Sequence, residues 1–141
     1  MRILQINKHH FIKGGADRVY FNTSKLLTDN QHEVIFFSTE HPKNVPCQYS
    51  EFFVPFVENR KNNFAQNIRN SGEYIYNRAA YKNLNKLIDT YRPDIAHLHL
   101  FYGELSASIL KSLNVLEPPI VIIPTPAPAN QTLLNVLSEL K

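Results

Sequence analysis

The hydrophobic positions change period along the chain, and the changes mark alternating strands and helices. Ile3-Leu4-Gln5-Ile6 is a short apolar run that predicts a buried first strand over residues 2–7. Behind Gly14-Gly15 the spacing turns helical. Ala16, Val19, Tyr20, Thr23, Leu26 and Leu27 share one stripe, which predicts a helix from about Gly15 to Asn30, closed by the turn formers Asp29-Asn30-Gln31. Glu33-Val34-Ile35-Phe36-Phe37-Ser38 reads as a second buried strand. Strand, glycine turn, helix and strand in so short a span predict a parallel pair joined by a right-handed crossover.

Pro42 and Pro46 make Thr39 to Ser50 a loop, and Phe52-Phe53-Val54, stopped by Pro55, predicts a short third strand at the sheet edge. Residues 59–91 read as helical, in two pieces broken near Asn70-Ser71-Gly72, with Ile75, Ala79, Leu84, Leu87 and Ile88 as the apolar stripe of the second piece. Arg92-Pro93 ends it. Asp94 to Leu100 is a strand, Gly103 to Leu113 a helix, and Ile120-Val121-Ile122-Ile123 a further buried strand. Pro124, Pro126 and Pro128 force an extended loop before a final helix over Gln131 to Leu140.

Strands that alternate with helices predict an α/β fold: a single domain with a Rossmann-like open parallel sheet of four to five strands and helices on both faces, strand order 3-2-1-4-5. Such sheets bind ligands at the carboxyl ends of their strands. Lys8 to Gly15, Ser38 to His41, His99 to Gly103 and Pro124 to Asn130 would then share one rim. On that rim the Gly14-Gly15 corner precedes a helix whose free N–H groups suit a phosphate, or is a tight strand-to-helix turn with no ligand.

Composition changes little in this picture. The chain has 141 residues, 43% hydrophobic and 19% charged, with a formal net charge of +3, and this mild excess is no evidence for nucleic acid. The single cysteine, Cys47, excludes an internal disulfide and suggests a reducing compartment. Polar Asn7, Lys8, His9 and His10 follow Ile6, so the opening strand is no secretory signal, and no apolar run is long enough to span a bilayer. A cytoplasmic location is expected, with a place at the inner face of the membrane left open.

Met1 to Asn7, then Gly14-Gly15-Ala16-Asp17-Arg18-Val19, then Gln31-His32-Glu33-Val34, then Arg92-Pro93-Asp94-Ile95-Ala96-His97-Leu98-His99 resemble, in order and spacing, the retaining glycosyltransferases of family 4. The likeness covers roughly residues 1–123. It implies the N-terminal, acceptor-side domain of a two-domain GT-B enzyme, spanning 1–141, whose C-terminal donor-binding domain is absent here. A sugar would pass from a nucleotide-sugar donor to a glycan or lipid-linked acceptor, without a metal and without another cofactor. Gly14, Gly15 and Arg18 would border the donor phosphates, and His9, His10 and His99 the acceptor side of the cleft. The family's Thr-x-His-Asp-like sequence is missing: Ile123-Pro124-Thr125-Pro126-Ala127-Pro128-Ala129-Asn130 stands there, with no proton-exchanging side chain over 124–129. No turnover is expected from this chain alone, and its catalytic residues stay unassigned. The alternative is a stand-alone regulatory domain that holds an anion or a nucleotide.

Each of these residues also has a plainer role. His9 and His10 would be solvent-exposed loop histidines, Asp17 a helix cap, and Arg18 a partner of Asp17 or of a neighbouring acid. His97 and His99 share a strand face, and with Glu104 or His41 they would make a metal site of no known zinc spacing. A packed, hydrogen-bonded His97 and a cleft-lining His99 fit better. Segment 58–92 sets Arg60, Lys61, Arg69, Arg78, Lys82, Lys86 and Arg92 against Glu58, Glu73 and Asp89, a solvated face or a contact with anionic lipid. An apolar interdomain face left open would let the fragment self-associate.

Overall fold

The computed structural model describes residues 1–56, 76–113 and 120–122. The elements are β1 (Arg2–Ile6), α1 (Gly15–Asp29), β2 (Glu33–Phe37), a 3-10 turn (Ser50–Phe52), α2 (Arg78–Tyr91), β3 (Ile95–Leu98), α3 (Ser108–Leu113) and β4 (Ile120–Ile122). The strands form one four-stranded sheet in the order β2-β1-β3-β4, every pair parallel. Ile3 lies opposite Val34 on one side and Ile95 on the other, so β1 is central, as its apolar run requires.

Alternate residues of each strand feed opposite layers. Leu4, Ile6, Ile35, Phe37, Ala96 and Leu98 pack with Ala80, Leu84, Leu87 and Ile88 of α2 and with Ile109 and Leu113 of α3. Ile3 and Ile95 face the other way, onto Leu27 of α1. Helices therefore cover both faces, and the two faces differ. The strand residues buried on the α2 side are all apolar, whereas those on the α1 side include Gln5 and His97, both fully buried.

Three expectations need correction. Phe52-Phe53-Val54 is not a strand: Phe52 N–H bonds Tyr49 O at 3.0 Å and Phe53 N–H bonds Ser50 O at 3.1 Å, closing a 3-10 turn. Only a single parallel bridge between Val54 and Thr39 marks the sheet edge foreseen there. The helix expected from Gly103 begins at Ser108, because Gly103 (φ 93°) and Ser106 (φ 52°) take left-handed conformations that no helix continues. In α2 the inner residue is Ala80 and not Ala79, which is exposed. That helix starts on Asn77, whose side-chain oxygen accepts from Ala79 and Ala80 N–H, and it ends at Arg92 in the left-handed region just before Pro93. The first piece of the 59–91 helix, the proline loop and the final helix lie outside the described residues.

Candidate functional site

The carboxyl end of β1 is where the fold turns polar. Asn7, fully buried, joins three segments. Its Nδ2 donates to His9 O at 2.8 Å and to Asp17 Oδ1 at 2.9 Å, while its Oδ1 accepts from Leu100 N–H at 3.2 Å. The other oxygen of Asp17 accepts from Gly14 N–H at 2.8 Å and Lys13 N–H at 3.1 Å. Asp17, buried in the first turn of α1, is thus the clasp that folds the loop back onto the helix start, the capping role its position suggested.

Gly14 has φ −156° and ψ −165°, extended backbone that any residue adopts. Neither glycine of the corner has a positive φ. What the pair supplies is space. A Cβ built on Gly15 meets nothing within 4 Å, and one on Gly14 meets only Asp17 Oδ2, at 4.0 Å. The N–H groups of Gly15, Ala16 and Asp17 take no partner among the described residues, so the positive end of α1 opens onto the rim. Arg18 is exposed beside it and makes no ion pair among the described residues, with Asp17 or any other acid.

The β3 loop closes the opposite side. Lys8 Nζ lies 2.7 Å from Glu104 Oε2, with side-chain exposures of 22% and 10%, and Lys8 N–H donates to Leu100 O at 2.6 Å. Ile12, Leu100 and Tyr102 stand exposed along this edge. Asn7, Lys8 and Glu104 do most to shape the rim, and the letters alone single out none of them as its organisers. A polar residue directly after a buried strand was the one available signal.

The histidines are not loop surface. His9 is buried to 6% exposure against Phe11, its Nδ1 without a partner. Its pKa is lowered, first by burial and then by Lys13 and Lys8, against the opposing pull of Asp17 and Glu104. His10 is further inside: Nδ1 is 2.8 Å from the Tyr20 hydroxyl, and Phe21, Phe36 and Phe53 surround the ring. Burial lowers its pKa to about 4. Neither histidine is solvent-exposed, and His10 faces the aromatic interior and not the rim, because Tyr20 supplies a buried polar partner for it.

His99 is half-buried where β3 ends, its N–H bonded to Ile6 O at 2.9 Å and its ring edge-on to Tyr20. Burial, with His97 adding to it, lowers its pKa to about 3, and burial lowers that of His97 to about 4. His97 is packed and bonded to Gln5, as expected. Among the described residues no three His, Cys, Asp or Glu side chains come together as metal ligands, so His97, His99, Glu104 and His41 do not converge on an ion. None of the helices described is long and apolar enough to cross a membrane.

The arrangement is a parallel sheet whose central strand runs through a side-chain-free corner into a helix start, beside neutral histidines and an ion-paired second loop. Among solved structures the chain is similar to the glycosyltransferase VinC in complex with dTDP, with a TM-score of 0.51 and 16% sequence identity, over 100% of this chain and 39% of that one. That likeness is one of fold, and the chain spans well under half of that protein's length. No curated protein matches it. The profile of Glycosyltransferase Family 4 matches residues 13–124, which include the glycine corner, all of α1 and β2 to β4. The chain therefore belongs to glycosyltransferase family 4.

Proposed function

We propose that residues 1–141 are the N-terminal, acceptor-side domain of a two-domain GT-B enzyme that moves a sugar, with retention of configuration, from a nucleotide-sugar donor to a glycan or lipid-linked acceptor. The observation that carries this reading is the open corner at Gly14-Gly15: unpaired helical N–H groups, no Cβ, and a position at the carboxyl end of the central strand. A diphosphate fits there electrostatically, with exposed Arg18 alongside. The dTDP in complex with VinC, a nucleoside diphosphate, supports a nucleotide donor. His9 and His99 border the acceptor side, and Ile12, Leu100 and Tyr102 give a second domain, or a second copy of the fragment, an apolar edge to meet.

The chain alone has no turnover in this reading, since the donor-binding domain would lie outside it. Exposed Arg78, Lys82 and Lys86 recur every four residues along α2, a spacing that supports peripheral contact with an anionic membrane on the cytoplasmic side.

Titration of nucleoside diphosphates and nucleotide sugars into the wild type and Gly15→Val tests the site. A valine there touches no protein atom through its Cβ, so the fold stays intact while the ligand's approach is blocked. Loss of binding is the expected result, and equal binding by both proteins would remove the corner from the mechanism.

A further inference from the structure

We propose that Gln5 is a positioning residue that holds His99 in its Nε2–H tautomer, so that the imidazole presents a bare Nδ1 lone pair to the rim and accepts a sugar hydroxyl there, not a phosphate. The proposal rests on the rim being substrate-facing and adds which ligand group this part of it takes.

Register brings the parts together. Gln5 pairs with His97 across β1 and β3, on the face covered by α1, and His99 is the next residue of β3's chain on that face. Gln5 is fully buried. Its amide lies between the two rings: Nε2 is 3.1 Å from His97 Nδ1, and Oε1 meets His99 Nε2. An amide NH2 only donates and an amide oxygen only accepts. With the amide turned this way, Nε2 toward His97 and Oε1 toward His99, His97 receives at Nδ1 and carries its proton on Nε2. His99 must give from Nε2. A neutral imidazole has one N–H, so His99 Nδ1 is left with a lone pair.

The arrangement is rigid. The His97 ring packs on His99 at 4.1 Å between centroids, and Tyr20 closes edge-on at 5.3 Å. It also has a cost, since His97 Nε2 is buried with no partner. His99 Nδ1, by contrast, bonds nothing among the described residues, and His99 as a residue is only half-buried. Burial keeps the imidazole neutral at physiological pH. An acceptor-only nitrogen attracts a hydroxyl proton and repels phosphate oxygens. The two sides of the rim then divide the substrate: the N–H groups at the start of α1 take the anion, and His99 takes a hydroxyl.

Long-range proton–nitrogen NMR on the labelled chain reads each tautomer directly. In the wild type at neutral pH, His99 is expected to show a protonated Nε2 and an unprotonated Nδ1. Gln5→Leu removes the amide and should move both His99 nitrogens toward averaged values. A wild-type His99 protonated at Nδ1, or an unchanged His99 in Gln5→Leu, overturns the proposal. Should Gln5→Leu fail to fold, Gln5→Glu decides: a carboxylate only accepts, so the His97 proton must move to Nδ1, and an unmoved His97 proton is the overturning result. For the ligand, a methyl glycoside at high concentration should shift His99 Nδ1, whereas inorganic phosphate should not; a shift with phosphate, or with neither, overturns that half. None of these readouts needs transfer activity, so a failure of the Gly15→Val test is distinguishable from a failure here.

Discussion

Replacing Asp17 by alanine tests whether its carboxylate is the clasp of the site. In the native fold the carboxylate receives two backbone N–H groups, from Lys13 and Gly14, and one amide hydrogen of Asn7. Loss of a cap of this kind costs about 1 kcal/mol. The Asn7 hydrogen is then a buried donor without a partner, at a cost of about 2 kcal/mol. Asp17→Ala should therefore lose about 3 kcal/mol in all, and with a urea slope of about 2 kcal/mol per molar its midpoint should fall by about 1.5 M. Asp17→Asn keeps the shape and one accepting oxygen and should lose about half as much. Urea unfolding followed by far-UV circular dichroism gives both numbers. A loss under about 1 kcal/mol for Asp17→Ala, or an asparagine variant no better than the alanine one, would refute the three-donor account.

Two further outcomes are expected. His10, His97 and His99 resist protonation in the fold, with values of about 4, 4 and 3 against 6.5 for a free histidine, so the unfolded chain binds more protons below pH 6.5. Stability should be level above about pH 7 and fall steadily as pH drops from 6.5 toward 4; a urea midpoint that stays constant between pH 7 and pH 5 would contradict the burial of the three rings. On α2, Lys82→Gln, which removes one cation, should weaken co-sedimentation with phosphatidylserine vesicles about fivefold, at roughly 1 kcal/mol for each cation near the surface, while phosphatidylcholine vesicles bind neither protein. Equal wild-type binding to both lipids would sink the membrane contact.

What the letters made legible were the local, periodic features. The alternation of β1, α1 and β2, the parallel sense and the central place of β1 all follow from short apolar runs and one amphipathic stripe. The misreadings have physical causes. Three consecutive apolar residues at Phe52 carry no period, so a tight turn and a strand look alike until Tyr49 O is seen to accept from Phe52 N–H. His9 and His10 stand in a polar stretch, yet the hydroxyl that permits His10 to be buried belongs to Tyr20, a helix turn inside α1. Gln5 looked like one polar letter in an apolar strand, and its partners His97 and His99 are more than ninety residues away. Glycine at the corner was expected for its turn, yet neither glycine has a positive φ and a Cβ on Gly15 would meet only open space, which the backbone angles and the surroundings reveal and the letters do not.

The unequal faces of the sheet bear on how the molecule breathes. Among the described residues, eighteen buried side chains form the cluster under α2 and α3, against three in the one under α1. Local opening follows the smaller apolar holding, so of the two long described helices α1 is expected to exchange its amides before α2. The helix proposed to meet a ligand at its N-terminus is thus also the more easily lifted one. An occupant that bridges its first turn to the β3 loop would tighten the same segment, and amide protection along α1 would rise in step with occupancy.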